Sequence, residues 1–162
     1  DIAEKLLVRS KEIYDGAIPS GNSVSTNNFI RLGRILHRSD YENTANDLLE
    51  SFGAKINRYG PGYAKNLIAI DFIEGPSYEV IVIGKSNKKT NEVLNELNLF
   101  EHDRKIVIYI DENNRDEMIK LIPFLNNFPN HKDIDPWIYV CKDFTCELPT
   151  QDIIKVKQLL TK

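Results

Sequence analysis

The spacing of apolar residues changes once along this chain, at Gly75-Pro76-Ser77, and that change restricts the folds open to it. Beyond it lie three short runs rich in Ile, Val and Tyr: Tyr78 to Ile83, Lys105 to Ile110 and Trp137 to Cys141. Their near-continuous apolarity suits strands covered on both faces. Helical spacing fills the gaps, first at Val93, Leu94 and Leu97, then at Met118, Ile119, Ile122 and Leu125 around Pro123, and last at Ile153, Val156 and Leu160. Strand and helix in alternation predict a three-stranded parallel β-α-β-α-β-α module over residues 75–162, with right-handed crossovers.

Before Gly75 the spacing is helical. Ile2, Leu6, Leu7, Ile13 and Tyr14 predict a first helix that Asp15-Gly16 ends, and Asn22 to Leu36 a second whose apolar face is interrupted by Asn27-Asn28. Ser39-Asp40-Tyr41-Glu42 reads as a capping box opening a third helix along Ala45, Leu48, Leu49, Phe52 and Ile56. After the turn Gly60-Pro61-Gly62, a fourth runs from about Tyr63 to Ile73. Residues 1–74 thus read as two αα-hairpins, giving an α/β class with a helical extension. Two hairpins cannot enclose their own stripes. Leu48, Leu49, Phe52, Leu67 and Phe72 are therefore expected to pack against the α/β module or a second copy.

Charge narrows the partners. With 21 basic and 24 acidic residues the formal charge is -3, so no global field exists to hold a phosphate backbone, and nucleic acid is not expected. No apolar run approaches the ~20 residues of a membrane span, so no membrane is expected either. The chain opens on Asp1 and its one methionine is Met118, which sets the expectation of a piece of a longer polypeptide. Its partner would then be the missing amino-terminal part of that polypeptide, or a second copy.

Few residues point to chemistry. Gly84-Lys85-Ser86 ends the first strand, but the first glycine of a phosphate loop would fall on Glu79, so nucleotide binding is not expected. Parallel strands would line their carboxyl edge with Gly84, Lys85, Asp111, Glu112, Cys141 and Lys142, with no histidine at a strand end. Cys141 and Cys146 have four residues between them, which matches neither a Cys-x-x-Cys redox motif nor a complete zinc site. They read as structural thiols, as a redox-responsive pair able to close a loop, or as part of other chemistry, and no metal is assigned. Two cysteines with no secretory pattern beside them set the expectation of free thiols in a reducing, cytoplasmic setting. His37, His102 and His131 have no evident base or nucleophile nearby in sequence, so no catalytic residue is assigned.

Pro19-Ser20-Gly21-Asn22-Ser23 places small polar side chains and free backbone N–H groups at the mouth of a helix, with Asn28 one turn or more further along. Such a mouth either binds hydroxyl or anionic ligands or simply caps its own helix.

Five segments together carry a resemblance: Tyr14-Asp15-Gly16-Ala17-Ile18-Pro19-Ser20-Gly21-Asn22-Ser23-Val24, Asn28-Phe29-Ile30-Arg31-Leu32, Gly62-Tyr63-Ala64, Gly75-Pro76-Ser77 and Val140-Cys141-Lys142-Asp143-Phe144-Thr145-Cys146. In this order and spacing they resemble the carboxyl-terminal end of the thioredoxin-domain-containing protein family that includes spermatogenesis-associated protein 20. The resemblance implies a parent with an amino-terminal thioredoxin-like domain, a central α/α barrel similar to six-hairpin glycosidases and sugar epimerases, and a small α/β tail. Residues 1–74 would then end an α/α toroid. It further implies a carbohydrate-binding or carbohydrate-processing role for the parent, with this chain catalytically incomplete alone and no cofactor. A sugar-like ligand would meet Asp15, Ser20 and Asn22, with Gly21, Ser23 and Asn28 beside them. The alternative is a thiol-responsive or protein-interaction module using the α/β tail with Cys141 and Cys146.

Overall fold

The computed structural model describes residues 11–131, 133–142 and 145–161. Helices α1 (Gly21–Leu36), α2 (Ser39–Arg58) and α3 (Ala64–Glu74) are followed by strand β1 (Tyr78–Ile83), helix α4 (Lys88–Leu99) and strand β2 (Lys105–Ile110). Helix α5 (Arg115–Leu121), strands β3 (Trp137–Lys142) and β4 (Thr145–Cys146), and helix α6 (Ile153–Leu159) complete the chain. Among the described residues no helix is long and apolar enough to cross a membrane.

The sheet has the order β2-β1-β3-β4, and only β1 and β2 run parallel. β3 is antiparallel to β1, with Ile81 opposite Tyr139, so the all-parallel expectation is corrected. The two connections are built differently. Twelve-residue α4 is about 18 Å long, close to the roughly 20 Å of a six-residue strand, and carries the chain back for a parallel return. Seven-residue α5, stopped before Pro123, reaches only about 10 Å. The rest of the connection doubles back, Arg115 at the start of α5 donating to the Phe128 carbonyl, and brings Pro136 beside Gly84 at the edge β2 has just left, where a glycine Cβ would lie 2.9 Å from Pro136 Cα.

β1 divides the core by alternation. Tyr78, Val80 and Val82 face one cluster with Leu97 of α4 and Val156 and Leu160 at the chain end. Ile81 and Ile83 face the other, with Ile30 of α1, Ala45 of α2, Ala69 and Phe72 of α3, and Ile108, Ile110 and Tyr139 from the neighbouring strands. The helices before Gly75 and the sheet after it thus share one core. Arg31 ties the layers further, stacking 5.3 Å over the Phe72 ring while donating to the carbonyls of Asp103 and Lys105 at 3.2 Å each.

Other helical expectations are refined. Ile2, Leu6 and Leu7 of the expected first helix lie outside the described residues, whereas Ile13 and Tyr14 sit in irregular chain, with Ile13 buried against Ile56 and Tyr63. α1 packs on both α2 and α3. The capping box does not form: α2 begins at Ser39 itself, no side chain caps it, and Glu42 lies 3.6 Å from Arg34 instead. Arg38 is held by Asp40 through two hydrogen bonds of 2.7 and 2.6 Å. Close approach of α1 and α2 requires Gly33, where a Cβ would come within 2.5 Å of Glu42 Cγ. Of the stripe residues, Phe72 packs on the sheet, Leu49 and Phe52 pack around Ile56, Leu48 is half-buried and Leu67 is 41% exposed.

Replacing Phe72 by Ala is expected to cost about 3–5 kcal/mol in denaturant unfolding, since the ring is fully enclosed between helix and sheet. Leu67→Ala, on the outer side of the same helix, should cost less than about 1 kcal/mol.

Candidate functional site

Asp15 organises the helix mouth. Its Oδ1 accepts from the Ser20 N–H at 2.8 Å and from the Ser23 hydroxyl, and its Oδ2 accepts from the Lys65 N–H at 2.9 Å. Its own N–H donates to the Gly62 carbonyl at 2.8 Å. Ser20 caps α1 by accepting from the Ser23 N–H. One carboxylate thus holds the first turns of α1 and α3 together, and these polar groups are turned toward one another. Gly21 is exposed with open space around its Cα. Asn22 reaches back to the Glu12 carbonyl at 2.6 Å. Asn28 is exposed, while Asn27 and Asn66 are the buried amides of this layer. The segment is arranged as a double cap. Sequence spacing alone offered no sign of Lys65, which lies fifty positions from Asp15.

The reversal of β3 redistributes the expected sheet edge. Cys141 and Lys142 move to the opposite edge, where Lys142 pairs with Tyr78 at the start of β1. Gly84, Lys85, Asp111 and Glu112 stay together and are joined by Asn130 and His131 around a crevice of about 230 Å³. Asp111 is pinned, its Oδ1 accepting from the Asn113 and Asn114 N–H groups at 2.9 and 3.0 Å. The Tyr109 hydroxyl lies 3.2 Å from both Asp111 Oδ2 and the Gly84 carbonyl, and burial followed by the Asp111 charge pushes its pKa up to about 12. The His131 ring stacks on Trp137 and shares a 2.8 Å hydrogen bond through Nε2 with the Tyr139 hydroxyl. His131 follows Pro129-Asn130 in an irregular loop without any periodic pattern, which is why sequence reading missed it.

Cys141 and Cys146 are opposite partners across β3 and β4 and are joined as a disulfide. The free-thiol expectation is thereby corrected: four intervening residues suffice for a hairpin that brings the sulfurs together. Cys141 is fully buried and Cys146 is exposed. Glu79, 1% exposed, lies opposite Cys141 on the neighbouring strand and on the same sheet face. Among the described residues no group of three or more His, Cys, Asp or Glu side chains is arranged to hold a metal.

All three histidines are held below the ordinary imidazole pKa, chiefly by burial. Arg34 adds to the effect at His37, Arg104 and Lys105 at His102, and Arg115 at His131, where Asp133 opposes it.

Over nearly its whole length the chain is similar to spermatogenesis-associated protein 20 of Rattus norvegicus and of Homo sapiens, with 24% identity over 161 residues in each case. It is also 26% identical over 164 residues to an uncharacterized protein of Caenorhabditis elegans. These matches take in 98 to 99% of this chain and 20 to 21% of the relatives, so the chain spans about a fifth of their length. They relate it, distantly, to the spermatogenesis-associated proteins 20. No family model and no solved structure matches the chain.

Two outcomes are expected from this geometry. Asp15→Ala should destabilise the chain by about 2 kcal/mol, one helix cap lost at each end, whereas Asn22→Ala should change unfolding by no more than about 0.5 kcal/mol. Because the unfolded histidines take up protons first, stability should be complete above about pH 6.5 and fall as acidification proceeds toward the lowered folded-state values. Ring-proton NMR should place all three midpoints below that value; a denaturation profile flat through this window would contradict the assignment.

Proposed function

We propose that this chain is the carboxyl-terminal unit of a larger thioredoxin-domain-containing protein and that it works there as a thiol-responsive module. Its helices α1 to α3 would continue an α/α barrel of the parent, and its sheet layer would carry the switch. The reading rests on one observation: Cys141 and Cys146 bridge a fully buried position and an exposed one across neighbouring strands.

The exchange needs a dithiol partner, for which the parent's proposed thioredoxin-like domain is the natural source. A partner thiolate attacks the exposed Cys146 Sγ, the bond to Cys141 breaks, and the electron pair leaves on Cys141 Sγ, which takes up a proton. The partner's second thiolate then attacks its own sulfur in the mixed disulfide and releases Cys146. Two electrons and two protons enter the pair while the partner becomes a disulfide. A thiolate in apolar surroundings is a poor leaving group, so the buried Cys141 sulfur leaves with uptake of a proton from water admitted as the bridge opens, beside Glu79 on the neighbouring strand.

The distant relation to the spermatogenesis-associated proteins 20 and the one-fifth coverage of their length support the parentage. The parent's carbohydrate role remains part of the proposal but is moved away from Asp15, Ser20 and Ser23, whose polar atoms are directed at each other. Sugar-handling groups would then lie in the parts of the parent outside this chain.

Dithiothreitol or a reduced thioredoxin should convert the oxidised chain to one with two thiols that maleimide labels after denaturation, and lower its unfolding free energy by about 2 kcal/mol, the value for so short a loop. Cys146→Ser should abolish the exchange while keeping the fold. Two free thiols in the air-oxidised chain, or reduction that leaves stability unmoved, would defeat the proposal.

A further inference from the structure

β1 and β2 are adjacent parallel strands whose connections leave toward opposite faces of the sheet. From β1 the chain turns to α4, packed with Val80 and Val82, and from β2 to α5, packed with Ile81, Ile108 and Ile110. Such a divergence opens a crevice outside the carboxyl ends of the two strands, the position where open α/β sheets bind ligands. Here that crevice exists, with Gly84 and Lys85 on the β1 side and Asp111 and Glu112 on the β2 side, and with Asn130 and His131 completing the rim.

Its walls are fixed. Asn114 Oδ1 accepts from the Asp111 N–H at 2.9 Å, the Thr90 hydroxyl donates to the Lys85 carbonyl at 2.7 Å, and Asn87 and Lys89 of the β1 side bind Ile134 and Asp135 beyond His131. Its charges are not spent on each other. Among the described residues neither the Lys85 ammonium nor the Glu112 carboxylate has an ion-pair or hydrogen-bond partner, although both line the same space. Asp111 stands behind Glu112 as a second, immobile negative group.

We infer that this crevice binds a small zwitterion of the amino-acid kind, its carboxylate toward Lys85 and its ammonium toward Glu112 and Asp111. A purely anionic ligand would face two carboxylates and a purely cationic one the lysine, whereas a molecule carrying both charges satisfies both walls. The volume holds the equivalent of roughly eight waters at about 30 Å³ each, which suits a molecule the size of serine. Asn130, and His131 through the ring nitrogen not bonded to Tyr139, are left to read the ligand's remaining polar atoms.

The test is an amide NMR titration of the full 162-residue chain. Glycine, alanine and serine serve as zwitterions, acetate and inorganic phosphate as anions, ethanolamine as a cation and glycerol as a neutral polyol. Saturable shifts confined to Gly84, Lys85, Asp111, Glu112, Asn130 and His131, seen with the zwitterions alone, are the expected result. Lys85→Ala and Glu112→Gln, both at exposed positions and checked for an unchanged spectrum, should each weaken binding about tenfold, equivalent to about 1.4 kcal/mol. No saturable shift with any zwitterion at millimolar concentration, tighter binding of acetate, phosphate, ethanolamine or glycerol, or binding indifferent to both substitutions would overturn the inference.

Discussion

Every side chain of β1 from Tyr78 to Ile83 is buried, and the rest of the molecule is arranged around that fact. A strand enclosed on both faces must have a layer on each, because its apolar rows alternate and neither can be left in water. α4 and α6 cover one row; α1, α2 and α3, with the Pro123–Asn127 turn, cover the other. The helices before Gly75 are therefore the second layer of the sheet. Removing them would expose Ile81, Ile83 and their neighbours on β2 and β3 as a continuous apolar surface.

The same enclosure sets what each end of the sheet can do. At one edge Cys141 and Glu79 lie opposite each other below a short β4 that carries Cys146 to the surface. At the other, two parallel strands diverge into opposite layers and leave a polar crevice between charged walls. The first arrangement, and the place of His131 in the second, follow from β3 running antiparallel. A parallel β3 would have put Cys141 beside Gly84 and kept the Trp137 end, with His131 packed on it, far from Asp111.

Much of the fold was legible in local pattern. The three strand runs and the helices α1 and α3 lie within a residue or two of their expected positions, and α4 encloses its marker residues, since a change from helical to continuous apolar spacing reports burial directly. The capping box failed because its four residues satisfy a local rule while α2 starts a residue early and Arg34 draws Glu42 across to α1. The site was less legible. Local spacing offers Asp15 as a ligand contact; its carboxylate spans fifty positions to cap α3, a pairing that no local window contains.

By itself the sequence determined where most helices and the three long strands would form, that β1 would be covered on both faces, and that two cysteines lay close enough to close a loop, because these depend on neighbours a few residues apart. Tertiary structure alone decided the direction of β3, the meeting of Asp15 with Lys65 and the arrival of His131 beside Lys85 and Asp111. Those outcomes turn on contacts between distant segments: a connection folded back by Arg115 on the Phe128 carbonyl, and a carboxylate whose partners exist only once two helices have docked.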